Sequence, residues 1–131
     1  MREIKFRGKW VDNGEWIYGY YVYYGFVDNK EHYIVPDYAS ALYVFEVDPS
    51  TVGQFTGLKD KNGIEIYEGD IISAYNGRIK GPVIFDRRGL AFGIPNGPNE
   101  IYQFSMNFLE SKDIEIIGNI YENPELLKEN R

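Results

Sequence analysis

Tight-turn signals recur at short intervals along this chain, and the residues between them are mostly β-branched or aromatic. Asp12-Asn13-Gly14, Asn62-Gly63, Asn76-Gly77 and Asp86-Arg87-Arg88-Gly89 punctuate it, supplying the residue types that accept the backbone angles of a hairpin turn. Glu3, Lys5 and Arg7 alternate with Ile4 and Phe6, the two-residue period of a half-buried strand. Segment 15–24, EWIYGYYVYY, is apolar or aromatic on both faces. That pattern predicts a strand covered on both sides, by the core and by a partner chain or lobe. Further strands are predicted at 33–35 and 42–47, separated by Pro36-Asp37, and then at 64–67, 70–75, 78–85, 90–94 and 114–121. Short hairpins in series favour a small, strongly bent sheet or a partly closed barrel, because short twisted sheets bury their apolar faces by closing.

The expected fold is therefore all-β with short helical turns. An aromatic N-terminal β lobe at 1–50 is followed by an SH3-like barrel at 51–131, the two forming one compact unit. Asp48-Pro49-Ser50-Thr51 reads as a helix start or tight turn, with Asp48 as cap and Pro49 at the first helical position. Segment 123–127, NPELL, reads as a short capped terminal helix. Two prolines and two glycines within 93–99 predict a loop. Segment 102–109 fits either a strand or a short helix.

The chain has 131 residues, enough for one domain or two small lobes, and 44% of them are hydrophobic, so burial is not limiting. A net charge of −6 sets the overall field against polyanions. The lack of cysteine removes disulfides, thiolate metal sites and cysteine nucleophiles, and fits a reducing compartment. MREIKFRGKW carries alternating charge and no apolar run, so neither an export signal nor a membrane span is expected, and the expected location is the cytoplasm.

Taken together, MREIKFRG, DNGEW, VGQFTGLKDKNGIEIYEGDII and IGNIYENPELL resemble the YopX family of small phage and prophage proteins. The resemblance covers both ends and the middle of the chain, in the family's order. It implies a β-rich fold, a phage or prophage origin and work inside a bacterial host. It carries no catalytic residues with it.

The central stretch of that resemblance invites a ligand reading that its spacing does not support. Asp60-Lys61-Asn62-Gly63 offers too few oxygen ligands for a calcium loop. Its glycines lead into Ile64-Glu65-Ile66-Tyr67, a strand, where a phosphate loop would lead into a helix. Architecture accounts for it: Asn62 and Gly63 take the positive-φ positions of a turn, Ile64 and Ile66 face the core, and Glu68-Gly69-Asp70 turns the chain again. Glu65, Glu68 and Asp70 are the weak candidates for a hard cation, against a solvated acidic edge. His32 is the one histidine, read as a partly buried turn residue, so zinc sites and Ser-His-Asp chemistry lack material. No cofactor is expected.

Trp16, Tyr18, Tyr20, Tyr21, Tyr23 and Tyr24 have three readings: core packing, a subunit interface, or ligand stacking. Single-strand binders pair aromatics with cations, and segment 15–25 has no Lys or Arg. Arg78, Lys80, Arg87 and Arg88 gather on successive hairpins, either as phosphate contacts or as charges that keep strand edges apart. The expected protein is a non-enzymatic binding or regulatory module that self-associates, with a host or phage protein as another partner. The alternatives are a nucleic-acid-associated accessory protein and a metal-assisted enzyme.

Overall fold

The computed structural model describes residues 3–26, 29–36, 44–87, 91–95, 101–103 and 113–130. Among the described residues the chain is all-β apart from one 3₁₀ helix, and it divides into two compact units, Met1–Phe55 and Thr56–Arg131.

In the first unit, β1 (Phe6–Trp10), β2 (Trp16–Phe26), β3 (Asn29–Pro36) and the first part of β4 (Phe45–Lys59) pair in sequence order, and β1 also pairs with β4, so the sheet closes on itself as a barrel-like ring; past Phe55, β4 continues in the second unit and carries the fifth strand of the sheet, Glu65–Tyr67. Every one of these pairings is antiparallel. One face of each strand points inward: Ile34 and Val47 are fully buried, and Trp10 packs edge-on against Phe45 at 5.1 Å. Glycines let the ring close tightly. A Cβ on Gly19 would lie 2.1 Å from the carbonyl oxygen of Val35 on the neighbouring strand.

Asp48-Pro49-Ser50-Thr51 does not start a helix; it lies within β4. Between Arg7 and Lys9 the β1 register jumps from Gly53 to Asp48, so β4 bulges there. A bulge tolerates Pro49, which has no N–H to give. The Asp48 carboxylate accepts the N–H and hydroxyl of Ser50, and the Thr51 hydroxyl stands in for the missing ladder partner, accepting the Lys9 N–H at 2.8 Å. Of the strand expected at 42–47, residues 42 and 43 lie outside the described residues and β4 runs from Phe45 on to Lys59, while β3 extends the expected 33–35 in both directions. His32 sits on that strand, not in a turn.

The second unit contains β5 (Glu65–Tyr67), β6 (Asp70–Ala74), β7 (Ile79–Pro82), β8 (Ile84–Asp86), β9 (Ala91–Pro95), β10 (Ile101–Gln103), β11 (Glu115–Asn119) and the 3₁₀ helix Pro124–Asn130. Its sheets run β11-β6-β7 and β10-β9-β8. The predicted strand 78–85 divides at Val83, which exchanges backbone bonds with Gly69 and Asp70 and thereby lets the chain pass from one sheet to the other. Ile66, Ile72, Ala74, Val83, Ile94 and Ile114 form the core, with Leu58, Ile79 and Ile116 against it. Burying each large aliphatic chain contributes about 1.5–3 kcal/mol.

Several expectations change here. Gly93 and Ile94, read both as the end of the strand at 90–94 and as the start of the loop at 93–99, are strand: Gly93 pairs with β10 and β8 and Ile94 with β10, with Pro95 at the strand end, where its missing donor is tolerated. Residues 96–99 lie outside the described residues. Of segment 102–109, Tyr102 and Gln103 are strand and 104–109 lie outside the described residues. Ile64 is 55% exposed, because β5 begins one residue later and only Ile66 and Tyr67 turn inward. The β6–β7 connection is longer than Asn76-Gly77. Tyr75, Asn76 and Gly77 all have positive φ, and Gly77 and Arg78 donate back to the carbonyls of Ala74 and Tyr75. The terminal helix is 3₁₀, with the Asn123 side chain accepting the Asn119 N–H at its start.

Candidate functional site

Strand β2 places its side chains alternately on the two faces of the ring wall. Trp16, Tyr18, Tyr20 and Val22 share the outer face, and their register partners there are Lys9 and Arg7 on β1, and Val35 and Tyr33 on β3. The row opens to solvent along its length: Tyr18 is 44% exposed, Tyr20 57% and Val22 42%. Trp16 is half-buried beneath two cations, the Arg7 guanidinium 4.4 Å and the Lys9 ammonium 5.3 Å from its ring centroid. Cation–π attraction of this kind is worth about 0.5–2 kcal/mol and holds the indole in place.

At the other end of the row, the Tyr33 hydroxyl donates to the Glu31 carboxylate, and Glu46 on β4 lies opposite Tyr33. The hydrogen bond to Glu31, then burial, then the charges of Glu31 and Glu46 push the Tyr33 phenol up to about 12. Because β4 also pairs with β1, Lys9 lies opposite Asp48 and the Val11 N–H donates to the Glu46 carbonyl, so carboxylates border the row at both ends.

Tyr21 and Tyr23 belong to the opposite face of β2. Tyr21 contacts Phe6 at 5.5 Å and stacks on His32, whose Nδ1 lies 2.5 Å from the Tyr21 hydroxyl. Burial, with Tyr23 beside it, holds the Tyr21 phenol above its ordinary value. Tyr23 packs on the other side of His32, ring centroids 4.9 Å apart. Tyr24 continues β2 opposite Glu31. The aromatic set read from the sequence is thus two sets on two faces. Val22, Arg7, Lys9 and Tyr33 join the outer one. Strand parity in the sequence already puts Val22 with Tyr18 and Tyr20, whereas the β1 cations reach Trp16 only through strand pairing.

The acidic stretch is occupied with holding the second unit together. The Asp60 carboxylate accepts the N–H groups of Asn62 and Ile64 in its own turn and that of Ile116 on β11. Asp70 is buried and accepts the Tyr67 N–H at 2.8 Å, and Glu65 accepts the Tyr67 hydroxyl. Glu68 lies in the turn between β5 and β6. Among the described residues, no group of three or more His, Asp or Glu side chains is placed to hold a metal. The motif GNIYENP closes onto YEGDII: Asn119 pairs with Asp70, Ile120 donates to the Gly69 carbonyl, and Tyr121 packs where a Cβ on Gly69 would lie.

Of the basic candidates, Arg78 is exposed in the β6–β7 turn, Lys80 is half-buried on β7 and Arg87 is exposed after β8. Arg88 lies outside the described residues. Phe85 on β8 is 42% exposed and meets Phe92 on β9 edge-on at 5.2 Å. Among the described residues, no helix is long and apolar enough to cross a membrane.

A search of curated proteins returns no match. Among solved structures, the crystal structure of protein EF1440 from Enterococcus faecalis is similar at 23% identity and a TM-score of 0.44, over 97% of this chain and 99% of that one. The family model described as YopX protein matches residues 5–128. That span takes in both units and the whole of the interlocked central and C-terminal motifs: the chain belongs to the YopX family.

Proposed function

We propose that this YopX chain is a non-enzymatic binding or regulatory module that associates with itself through the outer face of β2, and that it serves a phage or prophage inside the cytoplasm of a bacterial host. The observation that carries the reading is the open row of Tyr18, Tyr20 and Val22 on one face of a central strand. Tyrosines supply large, stiff contact area at low entropic cost, and they are enriched at the centres of protein interfaces. Among the described residues of its own unit, none forms a second layer over this row, where Tyr18, Tyr20 and Val22 are exposed. A second copy supplies that layer, and closed cyclic association is the commonest form for a soluble homo-oligomer.

Light scattering tests it directly. The mass in solution is expected above the 15.2 kDa of one chain. Tyr18→Glu with Tyr20→Glu is expected to return it to one chain with the β-sheet circular dichroism unchanged. A wild-type protein that stays at the single-chain mass at high concentration overturns the reading.

A further inference from the structure

We draw no further inference here: the strongest candidate, the aromatic patch of Tyr21, His32 and the exposed Tyr23 on the face of β2 and β3 opposite the outer row, carries nothing, because nothing in the structure shows what covers it.

Discussion

Single residues show how local chemistry sets strain and titration. Gly77 has φ of +83°, and the nearest atom to a Cβ placed there is the Ser73 Oγ at 4.0 Å. Space is available, so the cost of Gly77→Ala is one of backbone conformation alone, about 1–2 kcal/mol for a left-handed residue with a side chain. A lowered urea midpoint at unchanged slope checks it. Tyr33 gives a pH prediction of defined sign. Its folded-state pKa lies above the ordinary phenol value of 10.0, at about 12, with the Glu31 hydrogen bond as the leading cause. The folded state therefore holds this proton more tightly than the unfolded one. That contribution to stability is complete below 10.0 and is lost as the pH rises towards 12. Difference titration of phenolate absorbance is expected to show one tyrosine ionising at lower pH in Glu31→Gln than in the wild type.

Elements are held by side chains that satisfy backbone groups the ladders leave over. Asp60 is the clearest case, one buried carboxylate tying the β4–β5 turn to β11 through the N–H groups of Asn62, Ile64 and Ile116. Asp60→Ala leaves these donors to water or to nothing, at an expected cost of about 2 kcal/mol. Amide hydrogen exchange at Ile116 is expected to speed up more than exchange within β6. Unchanged protection at Ile116 would show that β11 is held in place without the carboxylate. The Thr51 hydroxyl plays a comparable part at the β4 bulge, where it receives the Lys9 N–H and itself donates to the Asp48 carbonyl. Polar residues in turns and bulges are here structural donors and acceptors, which is why the acidic central stretch builds a fold.

For the whole molecule, the outer row of β2 is the feature that reaches beyond one chain. Tyr18→Glu with Tyr20→Glu puts carboxylates where a second copy would exclude water, and unpaired buried charge is strongly unfavourable. Loss of the higher mass in light scattering is the expected result. The same substitutions on a face that met only solvent would leave both mass and stability nearly unchanged. Tyr21→Phe makes the contrast: it removes the hydroxyl bonded to His32 on the opposite face of β2, so it is expected to lower stability by about 1 kcal/mol and to leave the mass unchanged.

Sequence by itself determined the β character, most of the strand positions and the family, because hairpin turns and strand alternation are written in neighbouring residues. Asn76-Gly77 marked a hairpin and Ile66 marked a core position without any knowledge of what lay across from them. It could also rule out the ligand spacings that the central stretch superficially suggests. Tertiary structure decided what depends on residues far apart in the chain. Pro49 looked like a helix start, yet the pairing of β4 with β1 absorbs it as a bulge. Segment 15–25 carries no cation, yet β1 lays Arg7 and Lys9 against Trp16. Register also divided the aromatic cluster, stacking Tyr21 on His32 on one face and leaving Tyr20 on the other. Local propensity fixes which residues can form a strand, but which face meets water is settled by the strands that pair on either side of it.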